Sequence, residues 1–373
     1  MKKTKLDSES INPPLGWVGE APKILVIQQK MIGDVLVSSL ICENLKLNYP
    51  EAKIHYLVNR FTMPVIENNP FIDEVVVFED KYRSSKLQFY KFLKGINKAN
   101  YDVVIDAYGK LESNLITLFS GAKKRISWNK NYSRFIYTDV IKTKNKSEST
   151  AGLAIENRLK LLKSLKMGLS IRNRPKIYLT DNEIDDAKCK LSNSKIDNSR
   201  PLYMISILGS GIIKSYPSDY MAKVLDHIVD FKNAQLILNF MPSQELEAKA
   251  IYNQCKSITK KNIHFDIKAN NLREFIALTS QCDALIGNEG GAVNMAKAIN
   301  IPTFTIFSPW IDKETWSSFE DGINNVSVHL DELKPEYYEN KAYKKLKHLS
   351  LDLYEELDPE FVIKKLNDFL VQH

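Results

Sequence analysis

Two glycine-bearing turns, each set between a short apolar strand and a helix, are the places where this chain could do chemistry. The fuller one is Gly287-Asn288-Glu289-Gly290-Gly291, followed by Ala292-Val293-Asn294-Met295-Ala296 and then by Ile301-Pro302-Thr303-Phe304-Thr305-Ile306-Phe307. It reads as a strand over 283–286, a turn, a helix opening near Ala292 and a second strand after Pro302. Backbone N–H groups then gather at a helix N-terminus, where they can hold an anion, so a phosphate-bearing ligand is the expected occupant. The same residues would also serve a tight turn that needs φ > 0 and binds nothing. Its counterpart is the strand Lys23-Ile24-Leu25-Val26-Ile27 with the turn and helix start Met31-Ile32-Gly33-Asp34-Val35-Leu36.

The elements that must position these turns alternate along the chain. Strands are expected near 23–27, 53–58, 74–78 and 102–106, with helices near 34–48, 61–68, 85–98 and 111–120, a βα order that implies a parallel sheet. The polar run 142–150 reads as a loop, and Ile155 to Met167 as a helix. Arg172-Asn173-Arg174-Pro175 reads as the link between two domains. The second half repeats the scheme with strands near 202–208, 234–240, 283–287 and 302–307. Open α/β sheets bind ligands at the carboxyl ends of their strands, where both glycine turns fall.

The 373 residues, 44% hydrophobic, suffice for two α/β domains with a core each. Residues 1–22 read as a polar tail without the apolar run of a secretory signal, and no stretch approaches the roughly 20 apolar residues of a membrane-spanning helix, so a cytoplasmic protein is expected. Cys42, Cys189, Cys255 and Cys282 show no Cys-x-x-Cys spacing and the six histidines are isolated, so neither disulfides nor a metal site is indicated. Charge is divided unevenly: residues 1–176 carry 30 Lys+Arg against 17 Asp+Glu, and the remainder 22 against 28. Basic residues alternate with aromatics between Lys81 and Lys176, and Lys123, Lys124, Arg125, Trp128 and Arg134 form the candidate face for an anionic glycolipid or the inner-membrane surface. A solvated helix face would carry the same composition. No nucleic-acid-binding module is present, and neither turn has the Gly-x-Gly-x-x-Gly spacing of a dinucleotide oxidoreductase.

In order and spacing, these segments resemble the ADP-heptose:lipopolysaccharide heptosyltransferases, glycosyltransferase family nine. Residues 24–40 match the family's first motif, a strand, a variable loop, Gly-Asp and a helix. Residues 287–298 match its last, Gly-Asn-Asp-x-Gly-x-x-His-x-Ala-x-Ala, with changes. Between them, Tyr49 to Ile54, Asn69 to Val75, Tyr101 to Asp106 and Ser120 to Arg125 follow the family's order, and the resemblance runs from about Lys23 to Phe307. It implies a GT-B fold: two facing Rossmann-like doubly wound domains (23–174 on the acceptor side, 175–350 on the nucleotide-sugar side) with the ligand cleft between them. It also implies a final helix, within 351–373, crossing back to the first domain.

What the resemblance implies for the site is a metal-independent, inverting transfer, without a cofactor, of a sugar from a nucleotide-sugar donor, ADP-heptose, to a hydroxyl of a lipopolysaccharide-core glycolipid. Such transfer needs a base for the acceptor proton and cations or N–H dipoles for the leaving diphosphate. Asp34 matches the catalytic aspartate; outside the resemblance it reads as a first-turn helix acid. Leu208 to Pro217 resembles the loop ending Lys-x-Trp-Pro, with Tyr216 for Trp, which puts Ser210, Gly211 and Lys214 at the phosphates. Gln244 or Glu245 falls at the ribose-binding position, and Asn288, Glu289, Gly290 and Gly291 face the donor. Glu289, Gly290 and Asn294 depart from the family's Asp, Thr or Ser, and His, and Ser308-Pro309-Trp310 departs from Gly-Pro-Thr, so the sugar itself stays open. A nucleotide-sugar epimerase and a non-catalytic sugar-nucleotide or glycolipid binder remain as alternatives.

Overall fold

The structure is a computed structural model describing residues 21–165, 167–339 and 342–373; the polar tail expected over 1–22 lies almost wholly outside them. The first domain is a six-stranded parallel sheet ordered β3-β2-β1-β4-β5-β6. Its strands are β1 (Lys23–Ile27), β2 (Lys53–Asn59), β3 (Glu74–Phe78), β4 (Val103–Asp106), β5 (Lys124–Trp128) and β6 (Asp139–Ile141). The second is a five-stranded parallel sheet ordered β11-β10-β9-β7-β8. It comprises β7 (Leu202–Ser206), β8 (Gln235–Asn239), β9 (Ala284–Asn288), β10 (Thr303–Ile306) and β11 (Asn325–Val328). Both are doubly wound orders in which the chain reverses direction across the sheet at one point. That point lies between β1 and β4 in the first sheet and between β7 and β9 in the second.

The central strands read as unbroken apolar runs because helices cover both faces of each sheet: residues 24–27 of β1 and all of β7 and β9 are buried. The helix Ile32–Asn48 lacks a polar face for a related reason. Thirteen of its seventeen residues are buried, since it lies between its own sheet and the second domain, against the helix Gly291–Ala298. One continuous apolar cluster therefore runs from Ile24 and Val35 to Leu285 and Val293.

Arg273, in the helix Leu272–Thr279 of the second domain, bolts the two halves together. Its guanidinium forms a two-pronged pair with Glu183 at 2.6 and 2.7 Å, and donates to the Tyr178 carbonyl at 2.7 Å and, across the domain boundary, to the Pro64 carbonyl at 2.9 Å. Arg273 holds the Glu183 carboxyl well down, to about 2.

The last helix differs from expectation. Pro359–Gln372 does not cross back to the first domain; it packs on the helix Ser218–Lys232 of the second. Val362, Leu366, Phe369 and Leu370 complete the second domain's core, with the Phe369 ring 5.8 Å from Phe304 and the Asn367 amide oxygen 2.5 Å from His227 Nε2. The apolar side of this segment also covers β10 and β11 of that domain's sheet.

Three strands were not among those expected. β5 begins within the segment Ser120 to Arg125, and β6 and β11 are short edge strands of three and four residues.

Candidate active site

Asp34 stands in the first turn of the helix that follows β1, beside the reversal point of the first sheet. Its Oδ1 receives Nη2 of Arg158, from the helix Leu153–Lys160. Arg158 is itself oriented twice over, by donating from Nε to Ser38 Oγ at 3.3 Å and by lying 6.0 Å from the Trp128 ring centroid. Trp128 is fixed in turn by its indole N–H to the Ala107 carbonyl, 2.8 Å. Among the described residues no hydrogen bond reaches Oδ2 of Asp34, so Arg158 orients one carboxylate oxygen and leaves the other open. Arg158 was not foreseen: it stands more than a hundred residues from Asp34 in sequence, and no local motif surrounds it.

Across the domain boundary the loop after β7 presents Lys214. The loop is pinned by its own backbone: the Ile213 carbonyl accepts from Ser308 Oγ (2.8 Å), Ser350 Oγ (2.8 Å) and the Trp310 indole N–H (3.1 Å), and Ser215 Oγ accepts from the Gly209 N–H (2.9 Å). Lys214 Nζ then sits 2.9 Å from Glu289 Oε1 and 5.4 Å from the Trp310 ring centroid. Glu289 is only 9% exposed, and although Oε1 has the ammonium beside it, no well-directed hydrogen bond satisfies that oxygen. Lys347 approaches the same indole from elsewhere, 5.2 Å from the ring centroid.

Gly290 and Gly291 open the helix Gly291–Ala298. Gly290 has φ near 150°, a conformation that disfavours side chains, and a Cβ built there would meet only open space. The first helices of the two domains' sites nearly touch: a Cβ on Gly33 would come within 2.8 Å of Asn294 Nδ2. A side chain at position 33 would displace the Asn294 amide, and the contact puts Asn294, which stands where the resembled motif has His, against the turn that carries Asp34.

The remaining expected residues fall into other roles. Asn288 is fully buried and all of its amide is engaged: Nδ2 donates to the Ser206 (3.0 Å) and Ile207 (2.9 Å) carbonyls, and Oδ1 accepts from the Tyr216 N–H (2.7 Å). It ties β7, β9 and the Lys214 loop together instead of offering its side chain to a ligand. Gln244 is likewise spent, donating to the Gly209 carbonyl at 2.8 Å and accepting from the Met241 N–H at 3.1 Å. Glu245 is exposed and paired with Lys268 at 2.7 Å. Ser210 is exposed on the loop, next to Gly211.

The basic face expected over 123–134 is corrected in part. Lys124 donates to the Ser164 carbonyl at 2.8 Å and Arg125 to the carbonyls of Ile136 (2.7 Å) and Ala122 (3.2 Å), while Trp128 is buried; contacts around β5 engage all three. Lys123 and Arg134 remain exposed. Among the described residues no cluster of His, Cys, Asp or Glu could hold a metal ion, and no helix is long and apolar enough to cross a membrane.

With this geometry in place, comparison with known proteins is decisive. The family model for glycosyltransferase family 9 (heptosyltransferase) matches residues 89–347. The chain belongs to this family. Among curated relatives of the family, lipopolysaccharide heptosyltransferase 1 of Campylobacter coli is 22% identical over 332 residues, covering 82% of this chain and 88% of the relative. The solved family 9 glycosyltransferase of Veillonella parvula superimposes with a TM-score of 0.74 at 17% identity, over 95% of this chain and 98% of its own. The E. coli ADP-heptose lipopolysaccharide heptosyltransferase II does so with 0.70 at 17% identity, over 94% and 99%. The protein is a glycosyltransferase with the GT-B fold of that family.

Proposed function

We propose that the protein transfers heptose, with inversion, from ADP-heptose to a hydroxyl of a lipopolysaccharide-core glycolipid at the cytoplasmic face of the inner membrane. The observation that carries this reading is the juxtaposition of the two reversal points: a carboxylate oriented by Arg158 on one side, and on the other a cation beside a glycine turn that opens a helix. The names of the relatives supply the donor and acceptor class.

In the proposed reaction the donor diphosphate lies against Lys214 and the N–H groups at Gly290 and Gly291, where cation and helix terminus favour negative charge. Asp34 Oδ2 accepts the proton of the acceptor hydroxyl as its oxygen attacks the anomeric carbon from the face opposite the diphosphate. The bond from that carbon to the phosphate oxygen breaks, and Lys214 neutralises the charge left on the nucleoside diphosphate. A single displacement inverts the anomeric centre. Once the phosphate takes over Lys214, the Glu289 carboxylate is released to accept hydrogen bonds from the sugar hydroxyls.

The test is a donor screen by thermal protection followed by transfer assays. Ligands that bind only the folded state raise the unfolding temperature. ADP and ADP-heptose should protect and UDP- and GDP-sugars should not. Protection only by a different nucleotide would refute the donor assignment, and an isomerised sugar formed from donor alone would refute transfer.

A further inference from the structure

The helix Leu111–Phe119, which follows β4, is turned inside out. Its buried residues are Ser113, Asn114, Ile116 and Thr117, three of them polar, whereas Leu111, Leu118 and Phe119 are exposed and Leu115 is half-buried between them. These four recur at helical spacing and form one outward stripe. The polar interior has a cause. Asp106 at the end of β4 is fully buried, accepting from the Tyr108 and Gly109 N–H groups (2.9 and 2.7 Å) and from Tyr137 Oη (2.7 Å), while Tyr137 also reaches Asn114 at 2.6 Å. Among the described residues the outward leucines have no such cause.

The stripe continues onto the turn packed beside it, where Tyr132 and Phe135 are 63% and 78% exposed. Tyr132 is tied to the same end of the helix, donating to the Gly109 carbonyl at 3.2 Å. Exposed cations border the stripe: Lys110 at the helix start, Lys123 after its end and Arg134 beside Phe135. A second copy of the chain on this face would bring these cations together, and they lie in the half of the sequence with 30 basic against 17 acidic residues. An anionic lipid surface would neutralise them and take up the apolar stripe, the combination that holds proteins at membrane interfaces without a spanning segment.

We infer that the outward face of Leu111–Phe119, with Tyr132 and Phe135, docks onto an anionic lipid surface. This builds on the glycolipid acceptor proposed above. The start of the helix lies at the carboxyl edge of β4, the edge that also carries Asp34, so docking would bring a lipid-borne acceptor to the cleft from that side.

The experiment is co-sedimentation of the full chain with vesicles of phosphatidylcholine alone or with phosphatidylglycerol, at low and high salt. Two variants are compared with wild type, Leu111→Ser/Leu118→Ser/Phe135→Ser and Lys123→Glu/Arg134→Glu, all at outward positions. Wild type should bind the anionic vesicles and release at high salt. The apolar variant should bind at least about tenfold more weakly, and each cation removed should cost about fivefold. Thermal protection by ADP should be unchanged in the apolar variant, which verifies its fold. Vesicle binding equal to wild type in both variants, or absent in wild type, would overturn the inference. So would a concentration-dependent dimer in sedimentation velocity that the apolar variant abolishes. Loss of ADP protection in wild type would instead refute the donor assignment and leave the vesicle result standing.

Discussion

Replacing Glu289 by Gln should make the enzyme bind ADP more tightly and transfer sugar more slowly. The Lys214 ammonium is 2.9 Å from a carboxylate that is 9% exposed. At an effective dielectric constant of about 20, unit charges at that separation attract by about 6 kcal/mol before desolvation is counted. An incoming diphosphate recovers most of this attraction when it takes Lys214, but it also meets the displaced carboxylate. Removing that negative charge while keeping the side chain's size should therefore favour ADP by a net of about 1–2 kcal/mol, roughly 5- to 30-fold in Kd. Isothermal titration of wild type and Glu289→Gln with ADP measures this directly. Transfer from ADP-heptose should fall by about tenfold or more, since the amide accepts hydrogen bonds from the sugar less strongly than a carboxylate. Lys214→Ala should weaken ADP by about 10- to 100-fold and, in the double variant, abolish the gain from Glu289→Gln, because the two residues act as one unit. ADP affinity that falls or stays unchanged in Glu289→Gln would refute the exchange of partners at Lys214.

Asp34→Asn should keep ADP protection while lowering transfer by on the order of 10²–10⁴, and near-normal turnover would reduce Asp34 to a helix-terminal acid. Asn288→Ala should destabilise the protein by about 2–4 kcal/mol in chemical denaturation, because a fully buried amide with three hydrogen bonds is removed and their partners are left unpaired. The Glu183 carboxyl is held down to about 2 by Arg273, so its stabilisation is complete above the ordinary carboxyl range near 4.5 and is lost as pH falls toward 2. Glu183→Gln should therefore lower stability at pH 7 and flatten the decline measured between pH 5 and 2; an acid limb as steep as that of wild type would refute the assignment.

The sequence by itself determined the elements whose signals are local. β1, β7 and β9 appear as apolar runs bounded by turns because both faces of a parallel strand are buried, and the glycine turns announce themselves because few other residues suit those backbone positions. The order of these segments was also enough to point to the family and the two-domain fold. Tertiary structure decided which polar side chains face a ligand and which hold the scaffold. Asn288 and Gln244 stand within the resembled motifs, yet their amides are consumed by backbone partners as far away in sequence as Ser206 and Gly209. Arg158 lies outside every motif, and only packing against Trp128 and Ser38 brings it to Asp34. The last helix carries an apolar face that either domain could have covered, and the fold packs it into the core of its own domain. The helix Leu111–Phe119 buries polar residues where an apolar face would be read, because the buried Asp106 and Tyr137 demand a polar neighbour in Asn114. Periodicity records which residues could be buried together. Pairing between distant residues determines which of them are.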